Sequence, residues 1–322
     1  MGAAKPLSFF CFEIQEKNYI NIALLIVDYK AGQLANRIFQ FAYFIAHANE
    51  HHYRLINPCF EEYLHLFEAT DKNSFPSGRI STVYNGHKTA ASFFQRGVNV
   101  LRRRSKKGNG KISIFNFHSI RDTHDKKYTE FDMNDPEFVK LVKRQVVFAK
   151  GWNYRNTGLL RKHAAALRTI FKPKEVYLQE VGKCIEEAKQ QFDVVVGVHL
   201  RRGDYKDFFD GRWYYEDAVF AAKLEETRKI FAAKNKTCGF IVCSNEQVNK
   251  EAYRGIALLT AERPPVVDLY LLAACDYILG PPSTFTMWAS FYGNTPLYVI
   301  RDKEKIPGLS DFKVAEGVES FF

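Results

Sequence analysis

Residues 193–204 read Asp193-Val194-Val195-Val196-Gly197-Val198-His199-Leu200-Arg201-Arg202-Gly203-Asp204. The first half is a continuous β-branched apolar run, the composition of a strand buried on both faces of a parallel sheet. The second half turns polar at once. In open α/β sheets ligands bind outside the carboxyl ends of strands. A buried strand that carries two guanidiniums to that end therefore predicts an anion site. Alternation sends His199 and Arg201 to one side of the strand and Leu200 and Arg202 to the other. One arginine is expected to face the ligand, and the other to be structural with Asp204 as its partner. A guanidinium ending an all-apolar strand needs a partner, which favours Arg201 as the ligand-facing group. For Arg202 and Asp204 a plain surface ion pair explains the residues equally well. Gly203 lets the chain turn where a side chain would crowd the site.

Moving outward, apolar runs and helical periodicities alternate. A helix over 176–190 leads into the central strand, Trp213-Tyr214-Tyr215 opens the next helix, and residues 238–243 form a buried strand ending in Ser244-Asn245-Glu246. Then come a helix over 268–274, a strand over 276–279, a helix over 287–292 and a strand over 297–300. Such β-α alternation predicts a doubly wound parallel sheet. In Gly280-Pro281-Pro282-Ser283-Thr284-Phe285-Thr286 two prolines stop a strand, and Ser283 or Thr284 can cap the following helix. That construction offers amides and hydroxyls where a helix dipole favours phosphate, although a simple N-cap accounts for it locally.

Toward the N-terminus, residues 19–27 read as a strand, Gly32 as a turn, and Leu34, Ile38, Phe41 and Ile45 recur at helical spacing. His47, His51 and His52 have no metal-like spacing and are expected at a solvated helix end. Residues 53–150 are less regular; 111–117 alternates like a strand, and Arg102–Lys107 is a basic loop followed by Gly108-Asn109-Gly110, which lacks the third glycine of a dinucleotide fingerprint. Gly151-Trp152-Asn153-Tyr154-Arg155 precedes a helix over 157–171, and Pro173 marks a boundary. Two domains, 1–172 and 173–322, are expected.

The chain has 322 residues, 46% hydrophobic and 15% aromatic, so large cores are available; its net charge is +10. Such a charge suits nucleic acid, an anionic membrane or a phosphorylated small molecule, and composition does not separate them. Six scattered cysteines with apolar neighbours suggest reduced, buried thiols. The first residues lack the order of a secretory signal and the myristoylation pattern, and no apolar run approaches the ~18 residues of a membrane span. The expectation is a soluble cytoplasmic protein, with peripheral membrane contact left open.

His199-Leu200-Arg201-Arg202-Gly203-Asp204-Tyr205 resembles the His-x-Arg-Arg-Gly-Asp-Tyr motif of α-1,2-fucosyltransferases, glycosyltransferase family 11. Gly32 through Gln40 is similar to that family's Gly-x-x-x-Asn-x-x-Phe-Gln opening, which would put Asn36 in the cleft; a first-turn residue hydrogen-bonding a local amide is the alternative. The Gly151–Arg155 segment also has a family counterpart, which would set Trp152 and Tyr154 beside the cleft; packing in the core explains the two rings equally well. Asp268 through Asp276, followed by Ser283-Thr284-Phe285-Thr286 and Trp288, resembles its Asp-x-x-x-Met-x-x-Cys and Ser-Thr-Phe block. The chain departs from the pattern at Pro282, at Met287 and at Asn245-Glu246. The resemblance implies a GT-B-like fold of two Rossmann-type domains, with GDP-fucose on the C-terminal domain and a glycan acceptor, galactose O2 by family habit, on the N-terminal one. It implies inverting transfer with no metal or other cofactor and no nucleic-acid partner. Arg201 would neutralise the leaving pyrophosphate, Ser283, Thr284 and the Phe285 amide would hold its other oxygens, and His199, Asn245 and Asp268 would contact ribose or guanine. Arg202, Gly32 and Asn36 complete the expected binding set, with Asp204 and Asp28 as candidate bases. Three rival readings remain at this level: a transferase for another nucleotide sugar, a non-catalytic basic protein binding RNA or anionic membrane through 102–107, and a degenerate family member, altered at Met287 and Asn245-Glu246, that binds donor but transfers nothing.

Overall fold

The computed structural model describes residues 23–82, 115–119 and 130–318. The basic run at 102–107 and Cys11 lie outside these residues. The first half holds a five-stranded, wholly parallel sheet: β1 (Leu24–Val27), β2 (Arg54–Ile56), β3 (Ile80–Ser81), β4 (Phe115–Ser119) and β6 (Val146–Lys150), in the order β3-β2-β1-β6-β4. A short parallel pair, β5 (Phe131–Asp132) with β7 (Tyr154–Arg155), stands beside it. Four residues of β1 are buried in succession, as both-face coverage requires.

Helix α1 (Leu34–His51) follows β1 and is buried along most of its length. A helix apolar on nearly every side belongs in an interior, and α1 packs against both halves of the molecule. This overturns the solvated-end expectation for His47. It is fully buried, with Nδ1 2.8 Å from Tyr53 Oη and Nε2 2.8 Å from the Met133 carbonyl. Burial pushes its pKa down to about 3, so the ring is neutral. His51 is half-buried beside it, and exposed His52 ends the helix in the left-handed conformation with φ 60°.

Helices α2 (Glu68–Asp71) and α3 (Pro136–Val142) are short. The helix expected over 157–171 is two: α4 (Thr157–Lys162) and α5 (Ala164–Ile170), broken at His163, whose ψ of 12° leaves the helical region. Its ring is held 3.1 Å from Glu50 of α1.

The second half is the regular alternation read from the sequence. Helix α6 (Glu175–Lys189), strand β8 (Val194–Leu200), helix α7 (Asp217–Ala232), strands β9 (Cys238–Ser244) and β10 (Leu258–Thr260), helix α8 (Pro265–Ala274), strand β11 (Tyr277–Gly280), helix α9 (Thr284–Gly293) and strand β12 (Leu297–Val299) follow in turn. The parallel sheet runs β10-β9-β8-β11-β12, so β8 is its central strand and all seven of its residues are buried.

The halves share one core. Trp288 of α9 meets Phe39 of α1 edge-on at 5.1 Å and Phe171 at 5.4 Å. Arg168 donates to the Tyr292 and Phe291 carbonyls, at 2.8 Å each. The last described residues return to the first half: the Val318 N–H donates to Tyr43 Oη at 3.0 Å, and Glu316 pairs with Arg161 at 2.7 Å. Met287, one departure from the family pattern, is fully buried in this shared core. The five described cysteines are free thiols, four of them buried. Among the described residues, no helix is long and apolar enough to cross a membrane.

Candidate active site

The carboxyl edges of the two sheets face a cleft of about 1260 Å³. Ten of the expected residues line it: Gly32, Asn36, His199, Arg201, Asp204, Asn245, Asp268, Ser283, Thr284 and Phe285. Arg202 and Asp28 do not. Arg202 leaves β8 on the other side, as alternation requires, and its guanidinium pairs with Asp217 of α7. Tyr253 Oη donates to the same carboxylate at 2.6 Å. Burial pushes the Asp217 carboxyl up, but the hydrogen bonds from Arg202 and Tyr253 outweigh it and hold it below the ordinary range. Arg202 is therefore the structural arginine, but its partner is Asp217, not Asp204. Asp28 is buried at the end of β1, with its N–H on the Ala149 carbonyl at 2.8 Å.

Arg201 enters the cleft. Its Nη2 lies 2.7 Å from Asp204 Oδ2, and its guanidinium rests 5.3 Å from the Tyr205 ring centroid. The Arg201 side chain is 17% exposed and that of Asp204 58%. So exposed a pair is worth about 0–1 kcal/mol. A phosphate that gives Arg201 charge-assisted bonds of roughly 1.5–3 kcal/mol each would displace Asp204.

The turn after β8 is set by Gly203 at φ +58°, where an added Cβ would come within 2.9 Å of Asn245 Nδ2. Asn245 Oδ1 accepts the Arg202 N–H at 3.0 Å, so Asn245 braces the arginine loop from the end of β9. Tyr205 Oη donates to the Pro282 carbonyl at 2.7 Å and ties that loop to the start of α9.

His199 is buried, its ring stacked on Phe285 at 4.9 Å. Burial first, then the neighbouring Arg201 charge, lowers its pKa to about 3. A neutral ring avoids like-charge repulsion with Arg201. Its Nδ1 has no hydrogen-bond partner among the described residues, an unusual state for a buried polar atom.

Two helix N-termini converge here. Ser283 Oγ accepts the Phe285 N–H at 3.2 Å as the cap of α9. Thr284 Oγ1 donates to Asn36 Oδ1 in the first turn of α1 at 2.6 Å, joining the halves across the cleft. Gly32, at φ +36°, lies so close to Asn36 that a Cβ would meet its amide at 2.1 Å. Asp268 does not present a free carboxylate. Its Oδ1 accepts from Arg263 Nε at 2.8 Å, while Arg263 Nη2 reaches the Val242 carbonyl at 3.0 Å. Burial keeps the Asp268 carboxyl above its ordinary value despite that partner.

Three arginines on or behind the wall were not singled out in the sequence. Arg37 of α1 is buried and donates to the Ala31, Gly32 and Cys59 carbonyls, fixing the turn before the helix. Its signal is a lone cation among the apolar residues of α1. Arg263 has no local signal, because its partner lies one turn inside a helix. Arg155 follows three aromatic and amide residues and lies beneath Trp152, its Cζ 4.5 Å from the ring. Trp152 lines the cleft as expected, but Tyr154 is a core residue, 1% exposed, paired with His118.

The model of Glycosyl transferase family 11 matches residues 86–305. The chain is 34% identical over 103 residues to galactoside alpha-(1,2)-fucosyltransferase 1 of Saimiri sciureus, covering 30% of this chain and 28% of that protein. It is 32% identical over 114 residues to galactoside alpha-(1,2)-fucosyltransferase 2 of Rattus norvegicus, covering 32% and 31%. The chain thus matches less than a third of the length of these relatives. Among solved structures it is similar to Arabidopsis thaliana FUT1 in complex with GDP, with a TM-score of 0.56, 15% identity, and coverage of 92% of this chain and 74% of that one. That likeness is one of fold, the GT-B-like arrangement of two parallel sheets about a cleft.

Proposed function

The chain belongs to glycosyl transferase family 11, and on that premise we propose that it transfers fucose from GDP-fucose to a hydroxyl of a glycan, with galactose O2 as the first acceptor atom to test. The observation that carries this reading is Arg201: a permanently charged fork at the end of a fully buried strand, in the cleft, beside the capped N-terminus of α9.

In the proposed reaction the acceptor oxygen attacks the anomeric carbon as the bond to GDP breaks, on the opposite face, the configuration inverts, and the hydroxyl proton passes to the Asp204 carboxylate that Arg201 releases or to solvent. Negative charge grows on the departing pyrophosphate. Arg201 exchanges Asp204 for that pyrophosphate, and the bonds strengthen as the charge grows, which lowers the barrier as well as aiding binding. The Ser283 hydroxyl, whose oxygen caps the Phe285 amide, donates a hydrogen bond to a further oxygen, and the Phe285 amide can reach the ligand only by exchanging that cap. His199 gives its unpartnered nitrogen to the nucleotide. Arg263 holds the Asp268 carboxylate toward the base. Because a guanidinium supplies the neutralising charge, the transfer is proposed to need no metal and no other cofactor, and the protein is proposed to act in the cytoplasm.

Calorimetric titration with GDP, UDP and ADP tests the donor reading. GDP alone is expected to bind without added metal, and Arg201→Ala to lose most of that affinity while keeping its fold. Equal binding of all three nucleotides, or an unchanged mutant, would refute it. Transfer is expected to survive EDTA.

A further inference from the structure

We propose that the indole of Trp152 is the platform on which a sugar ring of the acceptor stacks, that Arg155 positions it, and that Glu130 restricts the acceptor to uncharged glycans; this rests on the fucosyl-transfer reading above. Arg155 is 7% exposed and is held between two rings, its Cζ 4.5 Å from Trp152 and 5.4 Å from Tyr43. Its Nη1 donates to the Trp152 carbonyl at 2.9 Å and to the Tyr154 carbonyl at 3.0 Å. The guanidinium is thus spent on the backbone and ring of the platform, and its Nε is sealed without a hydrogen bond. It orients the indole; it does not offer its charge to a ligand. Trp152 itself is only half-buried and lines the cleft, so the exposed part of its ring is on the cleft side. A rigid aromatic face in a cleft with polar neighbours suits the apolar face of a pyranose.

The charge beside this platform is negative. Glu130 lines the same wall, its side chain 48% exposed, and Arg155 approaches it only to 3.9 Å. A half-exposed carboxylate accepts hydrogen bonds from sugar hydroxyls and repels a sialic acid, uronic acid or sulfate.

Fluorescence isolates the platform. The chain has three tryptophans, and the other two are sealed in the cores, Trp213 at 3% exposure and Trp288 at 0%. Acrylamide quenching therefore reports Trp152. With the full chain saturated by GDP, a panel of galactose-terminated oligosaccharides, each neutral member matched with its sialylated form, is titrated and then assayed for transfer. Neutral members are expected to reduce quenching severalfold. Trp152→Ala is expected to keep GDP affinity within about twofold and raise the acceptor KM at least tenfold; Trp152→Phe recovers most of this, and Arg155→Lys falls between. Glu130→Gln is expected to narrow the preference for neutral over sialylated acceptors by at least threefold. An unchanged KM in Trp152→Ala, a loss of GDP affinity as large as the KM rise, no shielding by any neutral member, or preference for the sialylated forms would each overturn the proposal. Failure of the donor reading shows separately, as wild-type protein that does not bind GDP before any acceptor is added.

Discussion

On the second-half wall of the cleft, the groups proposed to hold the phosphates come from two short stretches, 199–204 and 283–285, at the ends of adjacent strands of one sheet. On the first-half wall, Glu62, Glu130, Trp152 and Arg155 come from a 3₁₀ helix, the residue before β5, the turn after β6 and strand β7. The second-half wall is assembled by local rules: strand alternation, a glycine turn and a helix cap. The first-half wall is assembled by folding alone. Motifs travel with the former, and specificity can change on the latter without disturbing the donor groups.

The sharpest way to break this contrast is Arg201→Ala. Losing two charge-assisted bonds of roughly 1.5–3 kcal/mol each is expected to cut transfer by about 10²–10⁴-fold. Arg202→Ala is expected instead to lower thermal stability, because it strands Asp217 in a half-buried site. If kinetics showed the two arginines interchangeable, the assignment by alternation would fail.

Next in size is the joint between the walls. Trp288→Ala opens a cavity between α1 and α9 and is expected to cost about 3–5 kcal/mol. Calorimetric melting should give one transition at a lower temperature. Two well-separated transitions in wild-type protein would show that the halves do not share a cooperative core.

Each half also buries one histidine with a pKa near 3, His47 and His199. In the unfolded chain both would titrate near 6.5. Between about pH 3 and 6.5 the unfolded state binds more protons, so stability falls as pH is lowered through that window, by up to about 1.4 kcal/mol per pH unit for each ring. Urea denaturation at pH 7 and pH 5 should show the loss, and His47→Gln should flatten the slope. Both nitrogens of His47 are satisfied and one of His199 is not. GDP is therefore expected to shift the NMR signals of His199 and leave those of His47 in place.

The smallest effect belongs to the hydrogen bond across the cleft. Thr284→Val removes its donor to Asn36 and is expected to cost about 0.5–1.5 kcal/mol. A melting temperature equal to wild type would show that this bond does not hold the walls in register.

Sequence pattern and structure agree best where apolar runs are continuous. Strands β8, β9 and β11 and helix α6 fall within one or two residues of their expected limits, because a strand covered on both faces has few compositions open to it. Helix α8 begins three residues early, at Pro265, since proline is at home in a first turn. The errors have a common cause. His47 looked solvated because three histidines near a helix end are usually polar surface; only the packing of α1 between two halves buried it. Asp204 looked like the partner of Arg202 because it is two residues away, whereas Asp217 arrives from the next helix. The Arg263 partner of Asp268 has no local signal, because Arg263 shows no periodicity of its own.

What the amino-acid order determined by itself is the parallel α/β architecture, the cleft-facing arginine at the end of β8, the capped start of α9 and the family these motifs mark. All of them follow from interactions spanning a few residues: pleat alternation, turn chemistry and the unpaired amides of a helix end. What only the tertiary structure decided is which arginine is braced by which carboxylate, which histidine is sealed from water, and which residues of the first half face the donor site. Those depend on partners brought together from distant segments, and the free energy that selects them comes from burial and desolvation, which no local pattern carries.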